Sequence, residues 1–113
     1  MSKADLHIHS RYSDRSAEWI ARRFDFPDSY SEPAAVYEKL RERGMDFITI
    51  TDHNRIEGCL EIADKPGVFI SEQVSACFPE DRCQAHLLVW GIDEERHREI
   101  QRLRENIYEL QKY

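Results

Sequence analysis

A chain of 113 residues with 41% hydrophobic side chains can bury one modest core and is too apolar to stay disordered. Its 16 basic and 22 acidic side chains leave a net charge of −6, which argues against general nucleic-acid binding and against an anionic membrane surface. Bound divalent cations would offset that charge locally, so an anionic substrate stays open. No apolar run reaches bilayer length and the start lacks a signal-peptide pattern. Cys59, Cys77 and Cys83 are too few, and odd in number, for a disulfide framework. A reducing, cytoplasmic location is expected.

The elements are predicted as one domain over residues 1–113. A first strand covers residues 4–9. Residues 10–30 are polar and aromatic, with Trp19, Phe24, Phe26 and Pro27, and read as a long loop with one helical turn near residues 17–22. Loops of this length are commonly functional or mobile. A helix starts at Ser31 as cap, with Pro33 in its first turn, Val36, Tyr37 and Leu40 as its buried stripe, and Gly44 as its stop. A second strand covers residues 46–51, where Ile48 and Ile50 alternate with Thr49 and Thr51. A short helix follows near residues 56–63, ended by Pro66 and Gly67. The third strand runs over residues 68–75 and the fourth over residues 85–90, with residues 78–82 as the loop between them. The tail from Asp93 is the clearest helix: Ile100, Leu103, Ile107 and Leu110 recur at three- and four-residue steps, with Asp93, Glu94 and Glu95 at its positive end. His97 reads there as a solvated helix histidine without a chemical role. Strands alternating with helices argue for an α/β domain with a parallel sheet or barrel, whose chemistry sits at the carboxyl ends of its strands.

Those ends are where the histidines gather. In Asp5-Leu6-His7-Ile8-His9, strand alternation turns Asp5, His7 and His9 to one face and Leu6 and Ile8 to the other. Two imidazoles on one face are half of a transition-metal site or two surface histidines on an edge strand. Thr49-Ile50-Thr51-Asp52-His53-Asn54 puts His53 on the face of Thr49 and Thr51. Asp52 can orient a neighbouring group, or the segment is a helix-capping turn. His86 opens an apolar strand and alone reads as a core residue. Asp14 alone is a loop carboxylate.

In combination, the H-x-H of residues 7–9, the Ser13-Asp14 pair, the T-D-H-N of residues 51–54 and the H-L-L-V-W-G of residues 86–91 resemble the PHP (polymerase and histidinol phosphatase) family. The likeness covers nearly the whole chain. The Trp19 region and the Phe78-Pro79-Glu80-Asp81 loop are most similar to PHP segments attached to some bacterial glycosyltransferases. The resemblance implies a partial distorted (β/α)7 barrel of about four mostly parallel strands with flanking helices and a long C-terminal helix. It implies two or three divalent ions (Zn, Mn or Fe) held by His7, His9, Asp14, His53, His86 and the residue at position 73. The implied activity is hydrolysis of a phosphate ester, on a phosphorylated small molecule or a nucleotide, with a metal-bound hydroxide as nucleophile. Imidazole and carboxylate ligands suit such ions, which lower the pKa of bound water and stabilise charge on a phosphoryl group. His53 or Asp52 can shuttle a proton, and Arg11 can bind phosphate oxygens. Arg15 reads as solvated surface charge.

Two departures qualify the resemblance. The family places a metal-bridging glutamate on the third strand, in a segment that reads here Val68-Phe69-Ile70-Ser71-Glu72-Gln73-Val74-Ser75. Glu72 shares the parity of Val68, Ile70 and Val74, and Gln73 shares that of Ser71 and Ser75. Alternation and the family pattern both place Gln73 at the ligand position, with a neutral oxygen where an anion is expected. A strand bulge would instead swing Glu72 inward. The chain also matches only the N-terminal half of a barrel that needs on the order of 200 residues, so a homo-oligomer or a larger parent protein is expected to cover its open edges. A second reading is therefore a truncated or degenerate PHP module that binds or regulates. A third is a structural zinc site from Cys77, Cys83 and His86, at a spacing that is not a common zinc pattern.

Overall fold

The computed structural model of the chain describes residues 1–13 and 31–113. Among these, the elements run β1 (Ala4–Asp5), α1 (Pro33–Glu42), β2 (Phe47–Ile48), α2 (Glu57–Ile62), β3 (Ser71–Cys77), β4 (Gln84–Trp90), α3 (Glu94–Leu103) and α4 (Ile107–Lys112). The expected turn near residues 17–22 lies outside the described residues.

The strands form two separate two-stranded sheets, β1–β2 and β3–β4. β1 and β2 are parallel, with Ala4 opposite Phe47 and Asp5 opposite Ile48. β3 and β4 are antiparallel from Ser71 opposite Trp90 to Cys77 opposite Gln84. Two isolated parallel bridges, Ile48 to Val68 and His53 to Gln73, lie between the sheets. The expected partial barrel of mostly parallel strands is therefore incorrect for this chain. Loop length is the physical reason. A parallel return needs about a dozen residues, and residues 78–83 leave room only for a hairpin. Phe78 accepts from the Arg82 N–H at 2.8 Å and donates to the Cys83 carbonyl at 2.8 Å, with Arg82 at a positive φ of 64°.

The parallel pair is shorter than predicted because side chains take the backbone partners. The His7 N–H goes to the Asp5 carboxylate at 3.2 Å and the Ile8 N–H to the Thr51 hydroxyl at 3.0 Å. The Ile50 N–H goes to the Cys59 sulfur at 3.3 Å, and the Cys59 thiol donates to the Ile50 carbonyl at 2.9 Å. Residues 6–9 still run beside residues 49–51, as the Thr51 N–H donates to the Ile8 carbonyl at 2.6 Å. Burial pushes the Cys59 thiol up from its ordinary pKa.

α1 begins with Pro33 in its first turn, and Glu32, not Ser31, is the cap residue, with no side-chain cap bond. Its buried Tyr37 and Leu40 pack with Ile48, Ile50, Cys59 and Ile62 in one core, flanked by Ile8, Val36, Met45, Val68 and Ile70. Arg41 ties the helix to its exit, donating to the Tyr37 hydroxyl at 3.0 Å, the Met45 carbonyl at 3.1 Å and the Pro66 carbonyl.

The single long C-terminal helix is also corrected. It breaks after Leu103, and α4 starts under a new cap at Asn106, which accepts from the Tyr108 N–H at 3.0 Å. Asp93 caps α3 by accepting from the Arg96 N–H at 2.8 Å. His97 is not solvated as expected. It lies half-buried, 2.9 Å from a carboxylate oxygen of Glu72, whose other oxygen accepts from the Gln101 amide at 3.1 Å. Glu72 is fully buried. Burial raises its pKa, against the opposing pull of His97, Gln101 and Arg104. Between the ordinary glutamate range near about 4.3 and that raised value, the folded state holds more protons than the unfolded chain. The contribution of Glu72 is then complete below the ordinary range and is lost as pH rises through the raised value. Asp52, raised by burial in the same sense, adds to the trend. Glu72→Gln is expected to flatten this loss, measured as denaturant midpoint against pH. An unchanged profile refutes the assignment.

Candidate functional site

Four histidines from three distant segments meet at one place. Their ring centroids are spaced 5.2 Å from His7 to His9, 4.5 Å from His9 to His53 and 5.5 Å from His53 to His86. At the centre lies the side chain of Gln73. Its Oε1 is 2.9 Å from His7 Nε2 and 2.8 Å from His9 Nε2, and its Nε2 is 3.4 Å from His86 Nδ1. Gln73 and His53 are buried, His9 is half-buried, and His7 and His86 are exposed. The cluster thus has a closed floor and an open mouth.

Each segment is fixed by ordinary strand chemistry. Gln73 is bridged to the second segment because its N–H donates to the Asp52 carbonyl at 2.9 Å and its carbonyl accepts from the Asn54 N–H at 2.8 Å. Asn54 takes a left-handed φ of 58°, which asparagine tolerates better than most residues. Its side-chain oxygen accepts from the Ser75 N–H at 2.9 Å. The His53 N–H donates to the Ser13 hydroxyl at 2.9 Å. Antiparallel pairing sets His86 opposite Ser75 and Leu88 opposite Gln73, and opposed residues share a sheet face. The H-x-H segment is held at its far end by Asp52, whose two oxygens accept from the Ser10 N–H and, at 2.6 Å, the Ser10 hydroxyl. Asp52 therefore anchors the residue that directly follows His9.

The remaining predicted site residues fall elsewhere. The Arg11 guanidinium sits 2.6 Å from Glu32 and 3.9 Å from Glu61, and hydrogen-bonds the Tyr12 hydroxyl at 2.8 Å. Glu32 holds its pKa above the ordinary arginine value. Two carboxylates thus already engage this proposed phosphate ligand. Asp14 and Arg15 lie outside the described residues. Cys77 is buried and Cys83 exposed. Glu72 points to α3 and Gln73 to the histidines, and β3 pairs with β4 in continuous register with no bulge.

Donor chemistry at the cluster fits a divalent cation: four imidazoles beside a mouth open to solvent. The arrangement is less complete. Among the described residues, no three His, Cys, Asp or Glu side chains are grouped to hold a metal ion. The Gln73 oxygen lies where the two Nε2 atoms of the H-x-H pair converge. On the parity of Gln73 along β3, the buried hydroxyls of Ser71 and Ser75 have no hydrogen-bond partner among the described residues, which leaves unused polar capacity in that strand. Sequence reasoning sets these two serines on the face of Gln73 without giving them a role, and it misses Ser10. Strand parity with Gln73 marks Ser71 and Ser75, and Ser10 directly follows His9.

No protein-family model matches this chain. Over 59 residues, 52% of the chain, it is 42% identical to an uncharacterized protein of Methanocaldococcus jannaschii, and the match covers 33% of that protein. The chain thus spans about a third of the length of this curated relative. Among the described residues, no helix is long and apolar enough to cross a membrane.

Proposed function

We propose that this chain is a metal-dependent phosphoric ester hydrolase module of the PHP type, with His7, His9, His53 and His86 as its cation-holding side chains. The observation that supports this reading is the meeting of four imidazoles from three segments around one polar side chain, open to solvent on one side. A divalent ion held there supplies Lewis acidity toward water and neutralises charge on phosphoryl oxygens. The chain's own part is to place the rings. Asp52 fixes the H-x-H segment through Ser10, Asn54 and Ser75 lock the His53 turn to β3, and the exposed rings of His7 and His86 mark the entrance.

Removing the metal tests this. Protein loaded with Mn²⁺ or Zn²⁺ is expected to retain ions through gel filtration and to turn over bis-p-nitrophenyl phosphate. Chelation with EDTA abolishes that turnover, and His9→Ala lowers both metal content and turnover by at least about tenfold. Turnover unaffected by EDTA, or a protein that retains no metal, sinks the reading.

One observation favours a second reading, a binding or regulatory module with weak catalysis. The residue at the centre is a neutral glutamine, which leaves the site without a bridging anion. Metal retention without turnover is the expected signature of that module.

A further inference from the structure

We infer that Gln73 is an amide latch on the cation site and not one of its ligands, an assignment that rests on the metal-site reading above. A carboxamide oxygen only accepts hydrogen bonds, and it has two lone pairs. Both are taken, one by His7 at 2.9 Å and one by His9 at 2.8 Å. Each ring must therefore carry a proton on the nitrogen that faces the amide. The same contact fixes two tautomers at once, with Nε2 protonated in both rings.

That protonation blocks the site. A cation is bound by the lone pair of an imidazole nitrogen, and here both inward nitrogens spend their position on N–H groups that donate to Oε1. For His7 and His9 to turn lone pairs to one ion, each ring's proton must pass through solvent from Nε2 to Nδ1, leaving the ring neutral, and the amide oxygen must leave the point where the rings converge. Gln73 is buried and its other end lies 3.4 Å from His86 Nδ1. Its release thus also gives up a contact with the fourth ring. Cation binding and the Gln73 bridge are mutually exclusive uses of the same two nitrogens. Apparent cation affinity is reduced by the fraction of molecules in which the bridge is closed. The open mouth at His7 and His86 provides a path for the exchange. The glutamine then raises the metal concentration at which the site is half filled.

The test is calorimetric titration of chelator-treated protein with Zn²⁺ and with Mn²⁺, comparing the natural chain with Gln73→Ala. The latch predicts at least tenfold tighter binding in the variant, since the competitor is removed. Equal or weaker binding in Gln73→Ala overturns the latch while leaving the metal-site reading intact. No binding by either protein overturns the metal-site reading, and the latch with it. A measurement on the metal-free natural chain does not depend on the variant folding. Long-range ¹H–¹⁵N correlation spectra are expected to show His7 and His9 both protonated at Nε2. A proton on Nδ1 alone in either ring overturns the latch.

Discussion

Asp52→Ala is expected to lower stability by about 2–4 kcal/mol. Asp52 is buried and so is Ser10, and the carboxylate is the acceptor for both the Ser10 N–H and the Ser10 hydroxyl. Alanine strands two buried donors, each worth about 1–3 kcal/mol when left unpaired, and opens a small cavity. That is a large part of the roughly 5–15 kcal/mol that holds a domain of this size together. A fall in thermal midpoint of about 10 °C or more is expected. Asp52→Asn keeps the shape and one acceptor oxygen, so it is expected to cost less. Because Ser10 follows His9, cation affinity should fall along with stability. A midpoint for Asp52→Ala within about 2 °C of the natural chain would show that this carboxylate does not anchor the segment.

Gly58→Ala carries the second large effect, and its sign is opposite to the usual one. In a helix, glycine to alanine ordinarily stabilises by up to about 1 kcal/mol. Gly58 lies in α2, buried, and a Cβ there would stand 2.6 Å from an Asp52 carboxylate oxygen and 2.7 Å from the Ser10 hydroxyl. Neither neighbour is a free chain end, since the two are hydrogen-bonded to each other in the interior. The helix must withdraw or the Ser10–Asp52 pair must part, at a net cost of about 1–3 kcal/mol. Urea unfolding gives the measurement. The double variant with Asp52→Ala should cost less than the sum of the two, because the new methyl enters space the carboxylate has left. A stabilised Gly58→Ala would contradict the close packing.

Much of the site is legible because strand parity is a strong local rule. His7 and His9 share a face, Gln73 falls on the parity of Ser71 and Ser75, and Glu72 falls on the other. The order of helices and strands follows from capping residues and apolar spacing, which are also local. What local rules do not carry is pairing. Nothing in residues 4–9 alone says that Thr51 and Asp5 side chains take the N–H groups a longer ladder would need. The antiparallel return of β4 is foreseeable from residues 78–83, which are too few for a crossover, whereas the alternation of strands with helices and the family resemblance both point to parallel strands. The role of His97 was hidden for a different reason. Its neighbours along α3 are charged, and only the tertiary fold brings it to the buried Glu72.

The disposition of the thiols has a practical outcome. Cys59 and Cys77 are interior, whereas Cys83 stands in the open at the end of the β3–β4 turn, and burial further disfavours the reactive thiolate of Cys59. A maleimide or a spin label therefore finds a single foothold on the unaltered chain. Its tether stands one residue before β4, the strand that delivers His86, which gives spectroscopy a vantage point on that arm of the protein without engineering.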